Sequence, residues 1–248
     1  MPVTTPSPQA PTQQPLRWAR RDGGVVRVVT HRLGGTSRGV YDGLNLGVHV
    51  GDDLADVERN RQVVEEAVGM PVAYMDQVHG ADVVEVRDAA SVPTCDAVVT
   101  TTPGLALAAL VADCTPVLLT DPEAGVVGAA HAGRPGMLAR VVPAAVEAMR
   151  DLGARRIEAT VGPSVCARCY EVPEAMRADA ARENPAAFAT TWQGTPAIDV
   201  AAGVVEQLVA LDVDVTWLPG CTREEPTLYS YRRDGQTGRF AGVVGMTR

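Results

Sequence analysis

The chain has 248 residues, of which 46% are hydrophobic, enough to bury roughly 70–75% of the surface its unfolded form exposes. Its 22 basic residues, all arginine, face 30 acidic ones for a net charge of −8, so no basic excess exists to neutralise a phosphate backbone and no nucleic acid is expected as partner. Without lysine, every chemistry that needs its amine is excluded, including Schiff-base formation and a Walker-type phosphate loop.

The chain opens with Pro2, Pro6, Pro8, Pro11 and Pro15 among polar residues, a composition that cannot offset the entropy of ordering. A disordered tail is expected over residues 1–16, followed by a single catalytic domain over 17–248. Short Val/Ala/Leu-rich runs bounded by Gly, Pro or Asp predict buried strands at 25–30, 83–86, 97–101, 105–112, 117–120, 126–130, 157–161, 213–218 and 240–244. Helices are expected over 53–70, where Val57, Val64 and Val68 recur near a 3.6 period behind an Asp52 or Asp53 cap, and over 135–151, 173–183 and 199–211. Strands interleaved with helices read as an α/β or layered α+β fold, and the helix-free run of strands from 97 to 130 calls for hairpins and mixed sheets. The longest apolar run stops at Asp113, far short of the roughly 20 residues of a membrane span. No basic and apolar leader opens the chain, and five cysteines, an odd number, read as reduced thiols. A cytoplasmic location is therefore expected.

Four histidines are present, and His79 and His131 both end apolar runs with a glycine following within two residues. Cys114 ends the run 105–112 in the same manner. Strand ends are where α/β sheets gather functional side chains, so the three could converge on a metal. Two imidazoles and a thiolate suit zinc, with a fourth position left open. The same positions equally suit hydrogen-bonded or packed core residues. Cys166-Ala167-Arg168-Cys169 lacks a second CxxC and reads as packed thiols, as do Cys95 and Cys221. Asn45, in a Gly-punctuated loop, reads as a turn cap. Arg61 reads as part of a solvated helix face.

Six short blocks in order give these residues a context: Leu44-Asn45-Leu46-Gly47, Asn60-Arg61, Gln77-Val78-His79-Gly80, Ala112-Asp113-Cys114-Thr115-Pro116, Ala130-His131-Ala132-Gly133, and Tyr229-Ser230-Tyr231-Arg232-Arg233-Asp234-Gly235 with Gly238-Arg239. Together they resemble the YfiH/YlmD-type family of laccase-domain proteins, labelled polyphenol oxidases and linked to purine nucleoside phosphorylase and peptidoglycan-editing activities. The resemblance implies a YfiH-like fold, zinc held by His79, Cys114 and His131, catalysis by those three with Arg61, and substrate contact by Asn45 and Arg61. The implied function is zinc-dependent phosphorolysis of adenosine, inosine or methylthioadenosine, with adenosine deamination as a further activity. Its partners would be a small-molecule nucleoside and phosphate, met by a monomer without membrane contact. Asp113 or Asp76 would orient a ligand.

Two other functions stay open at this point. One is a peptidoglycan-precursor editing hydrolase with Cys114 as nucleophile and His79 or His131 as base. The other is a non-catalytic binding protein stapled by zinc, which requires a fourth protein ligand. Arg134 and Pro135 stand where the family carries an aromatic residue and an arginine, which bears on substrate preference. Four-copper laccase chemistry needs many more imidazoles than four histidines provide, although a single copper can replace zinc at an N/S site.

Overall fold

A computed structural model describes residues 15–247. The expected tail lies outside the described residues except at its end, where Leu16 already opens the first strand. In chain order the elements are β1 (Leu16–Asp22), β2 (Val25–Thr30), α1 (Leu54–Val68), β3 (Val72–Ala73), β4 (Val83–Glu85), β5 (Ala97–Thr100), β6 (Ala106–Val111), β7 (Thr115–Asp121), β8 (Val126–Ala132), α2 (Arg134–Leu138), α3 (Val141–Asp151), β9 (Glu158–Val161), α4 (Glu174–Glu183), β10 (Phe188–Thr190), β11 (Pro196–Ile198), α5 (Val200–Val209), β12 (Asp214–Trp217), α6 (Tyr231–Asp234) and β13 (Phe240–Met246).

Two mixed sheets result, ordered β1-β2-β13-β6-β3 and β12-β9-β7-β8-β5-β4, with β10 and β11 as a separate ribbon. Side chains alternate across a strand with period two, and β8 uses both faces. Val127 and Ala129 meet Val25, Leu107, Leu118 and Val244 between the sheets, while Val126 and Ala130 meet Met137, Val146 and Leu208 of the helices outside. On the far side, Val64 and Val68 of α1 cover Val28, Ala108 and Val243. The order of layers is thus helix, sheet, sheet, helices. Each fully buried Val, Leu or Met contributes about 1.5–3 kcal/mol relative to exposure, which is why the apolar-rich runs became the central strands.

The helix expected over 135–151 is two helices. Arg140 takes a left-handed φ of 65°, which no α-helix accommodates, and this residue separates α2 from α3. Of the two cap residues considered for α1, Asp53 does the capping, accepting a 2.8 Å bond from Ala55 N. Asp52 instead accepts from Ser37 Oγ at 2.6 Å and Asn45 Nδ2 at 2.8 Å. No helix among the described residues is long and apolar enough to cross a membrane.

One crossing matters most for the site. β6 belongs to the first sheet and β7 to the second, so the chain passes between sheets through Ala112, Asp113 and Cys114. Continuing the period-two alternation, His131 follows Val127 and Ala129 on the inter-sheet face of β8, opposite Pro116 of β7. Both residues therefore reach the same end of the sandwich.

Candidate metal centre

Asp113 makes the inter-sheet turn at φ 94°, a conformation that costs a non-glycine residue about 1–3 kcal/mol. Surrounding bonds hold it there. Its carboxylate accepts from Thr222 Oγ1 at 2.5 Å, Ser230 Oγ at 2.7 Å and Arg232 N at 2.6 Å, and its carbonyl accepts from Val165 N at 2.9 Å. Cys114 is thereby presented from a fixed turn. His79 sits in the loop after β3, also left-handed, with φ 62°.

Asp96, at the entrance to β5, is fully buried and ties the two histidines together. Its Oδ1 accepts from His79 N at 2.9 Å and contacts His131 Nδ1 at 2.8 Å, and its Oδ2 accepts from Val78 N at 3.2 Å and Gly80 N at 2.6 Å. Burial opposes its charge, but the bonds from His131 and from the backbone at Gly80 and His79 hold the carboxyl below the usual carboxylate range. A proton on His131 Nδ1 satisfies this carboxylate and leaves the Nε2 lone pair for a ligand role. Burial lowers the His131 pKa, against the opposing effect of Asp96, and so favours the neutral ring that a metal requires. Of the two acids expected to orient a ligand, Asp113 fixes the turn that presents Cys114, whereas Asp76 ties its loop to 93–95 through its backbone, with bonds to Pro93 O and from Cys95 N; the carboxylate on the histidines is Asp96.

The three ligand candidates meet. His79 Nε2 and Cys114 Sγ are 3.7 Å apart, and the His79 and His131 rings approach edge to face with centroids 4.8 Å apart. One donor atom from each residue lies within 4.8 Å of the other two. Tetrahedral zinc with bonds of about 2.0–2.3 Å separates its donors by roughly 3.3–3.8 Å, so the nitrogen and sulfur already stand at the required spacing. Within this group no fourth His, Cys, Asp or Glu joins the set among the described residues. Three donors with an open corner are the pattern of a catalytic site.

Gly133 makes the convergence possible, since a Cβ there would stand 2.7 Å from His79 Cδ2 and 3.0 Å from Cys114 Sγ. Its backbone, at φ −76° and ψ 174°, is open to any residue. Gly133→Ala is therefore expected to lower bound metal at least roughly tenfold, by analogy with the loss of an orienting partner, while thermal unfolding changes by no more than about 1 kcal/mol. Metal analysis alongside a melting curve checks this.

The centre opens into a cavity of about 410 Å³ whose wall includes His49, Arg134, Tyr170, Tyr231, Arg232 and Arg239. Gln77 secures one side by bonding Leu110 through both ends of its amide, each at 2.8 Å. Arg61 and Asn45 are not part of this wall. The Arg61 guanidinium donates to Leu46 O from Nε at 3.0 Å and from Nη2 at 2.9 Å, and stacks over the Tyr74 ring at 3.8 Å. Asn45 is fully buried, donating to Asp52 and accepting from Gly47 N and Arg239 N. Both therefore shape the loop behind the wall, and it is Arg239 that stands beside the centre. Its charge acts on Cys114 and His131 alike. Asp96 and Arg239, which the structure sets beside the candidate ligands, are not singled out by the sequence. Arg239 lay inside a recognised block without a role, and nothing around Asp96 distinguishes it from any acid preceding a strand.

Fold and site together define a layered α/β protein with an open-cornered His/Cys/His centre at a cationic cavity. The chain belongs to the family described as multi-copper polyphenol oxidoreductase laccase, whose family model matches residues 26–247. It is 56% identical over 225 residues to the purine nucleoside phosphorylase of Streptomyces coelicolor, covering 87% of this chain and 93% of that one. Among solved structures, YlmD from Geobacillus stearothermophilus matches with a TM-score of 0.81 at 33% identity, covering 91% of this chain and 93% of that one. A Neisseria meningitidis protein matches with a TM-score of 0.83 at 35% identity, covering 93% and 99%. The sheets and flanking helices are thus those of the YfiH-like fold.

Proposed function

We propose that this chain is a zinc-dependent purine nucleoside phosphorylase acting on inosine, adenosine or methylthioadenosine. The observation that carries the reading is the open His79/Cys114/His131 set beside Arg239 and Arg232 in one cavity, and the names of its relatives support it. Zinc held by those three residues would supply Lewis acidity next to the reacting sugar, and copper can stand in for it. Arg239, anchored through Nη1 to the carbonyls of Thr237 and Gly238 at 3.0 Å each, binds phosphate through its other N–H groups. Guanidinium and phosphate match in a bidentate fork. Tyr170 and Tyr231 offer aromatic faces for the purine. A phosphate oxygen then bonds to the sugar's C1′ as the bond from C1′ to purine nitrogen breaks; the electron pair leaves with the base, which takes up the proton that phosphate gives up. Arg61, held on Leu46 O and Tyr74 outside the cavity wall, is assigned no contact with phosphate in this reading. Adenosine deamination would be a second activity of the same cavity, and we place its work in the cytoplasm, where the five cysteines would stay reduced.

The competing hydrolase reading draws on the 3.7 Å contact of Cys114 Sγ with His79. Burial pushes the Cys114 thiol up to about 12, and the charge of Asp113 adds to that, which disfavours a free thiolate nucleophile and supports a metal-bound one. The deciding experiment measures free base released from inosine by zinc-loaded protein with and without inorganic phosphate. Release that requires phosphate is expected; no release, or release at the same rate without phosphate, would refute the proposal. In the same assay Arg239→Gln should raise the KM for phosphate roughly 10–100-fold, the equivalent of one or two charge-assisted bonds.

A further inference from the structure

The second CxxC that the sequence lacks is replaced in space by a different pair. Cys166 and Cys169 flank a tight turn in which Cys169 N and Tyr170 N donate to Cys166 O at 2.9 and 3.1 Å. Cys221 and Glu224 flank another of the same form, with Glu224 N and Glu225 N donating to Cys221 O at 3.1 and 2.9 Å. A bridge between Ser164 and Cys221 lays the two turns side by side. One donor atom from each of Cys166, Cys169, Cys221 and Glu224 then lies within 4.8 Å of the others. Cys166 N points to Cys221 Sγ at 3.4 Å, and Cys169 Sγ meets Glu224 Oε1 at 3.4 Å. Two i, i+3 knuckles facing each other are the arrangement in which structural zinc is held.

We propose that Cys166, Cys169, Cys221 and Glu224 form a second metal site, a closed four-ligand centre for zinc, distinct from the open His/Cys/His centre. Three thiolates select a soft or borderline ion, and a carboxylate completes the tetrahedron. Two thiols from one segment and a thiol and an acid from a distant one make the ion a cross-link, which stabilises most when it closes a long loop. Its neighbours suit the negative charge of such a set. Arg223 and Arg232 share a surface cleft with Cys169, and Arg233 Nη1 donates to the carbonyls of Thr222 and Glu225 around the Cys221 turn.

The position gives the ion a role in the first site without contact to substrate. Val165 and Tyr170 beside the first knuckle are cavity wall, and Thr222 beside the second holds the Asp113 carboxylate under Cys114. The second ion would therefore fix both the wall and the turn that presents a ligand of the first.

Metal counting on the full-length protein, reconstituted with zinc and freed of excess, tests this independently of any nucleoside assay. Wild type should hold two zinc ions per chain, a Cys114→Ser/His131→Ala variant one, and Cys169→Ser one. A single ion in wild type that Cys169→Ser leaves in place would overturn the proposal. Because Cys169→Ser could fail to fold, cobalt is added to the Cys114→Ser/His131→Ala variant, where an intense thiolate-to-cobalt absorption band is expected and its absence refutes the site. Glu224→Gln, an exposed change, should weaken zinc retention against a chelator by more than the roughly 10–100-fold typical of outer partners, and unchanged retention would contradict the four-ligand assignment. A disulfide among these cysteines, seen as fewer than five titratable thiols after denaturation in chelator, would also refute it.

Discussion

Cys114→Ser is expected to abolish metal binding at the His/Cys/His centre and to cut phosphorolysis at least about 10³-fold, or ~4 kcal/mol of transition-state stabilisation. The hydroxyl is a poor substitute for a thiolate, and only His79 and His131 remain at a centre where no fourth protein donor waits among the described residues. The fold should tolerate the change. Cys114 is half-buried, and the turn beneath it is held by Asp113 through Thr222, Ser230 and Arg232 rather than by sulfur. A melting temperature within about 4 °C of wild type, alongside lost metal, identifies a functional loss; for a chain of this size that shift corresponds to roughly 1–2 kcal/mol. Retained turnover in the metal-depleted variant would mean that the centre is dispensable.

Asp96→Asn should do what Cys114→Ser does not, lowering stability and metal affinity together. Two carboxylate oxygens currently serve four donors, the backbone N–H groups of Val78, His79 and Gly80 and the His131 ring. An amide keeps the shape but turns an NH2 group toward two of those donors, in a site with no access to water. Losing two charge-assisted bonds there costs about 3–5 kcal/mol, visible as a lower denaturation midpoint with an unchanged slope. The loop carrying His79 and the tautomer of His131 lose their common reference, and metal affinity should fall roughly 10–100-fold. An Asp96→Asn protein with wild-type metal affinity would show that the histidines orient themselves.

The sequence was most legible where one physical signal dominated. β2 and the central strands β5 to β8 are Val/Ala/Leu-rich runs with few polar residues because sheets covered on both faces demand them, and their predicted bounds differ from the observed ones by a few residues at most. β1 escaped notice because Arg17, Arg20 and Arg21 make Leu16–Asp22 look like polar coil; as an edge strand paired only to β2 it can carry Arg20 and Arg21 in solvent and set Arg17 against Glu225. β3 has only two residues, too few for any period. The break at Arg140 leaves no trace in a helical pattern that continues across it.

At the site, His79, Cys114 and His131 were legible because each closes a hydrophobic run, but their convergence depends on β6 and β7 lying in different sheets, which no local pattern encodes. The same non-locality hid the remaining parts. Asp96 acts through backbone N–H groups, which carry no residue identity. Glu224 completes a cysteine group only because residues 164 and 221 pair. The expected role of Arg61 comes from a motif, and no local pattern encodes that its guanidinium lies on Tyr74 and Leu46 O outside the cavity wall.

Anomalous scattering at the zinc absorption edge, from crystals of the zinc-loaded protein, tests the central claim most directly. The account predicts a peak within about 2.0–2.3 Å of a nitrogen of His79, a nitrogen of His131 and the sulfur of Cys114, with no protein atom at the fourth corner. A zinc-replete crystal with no peak there, or with the corner closed by another side chain, would contradict it.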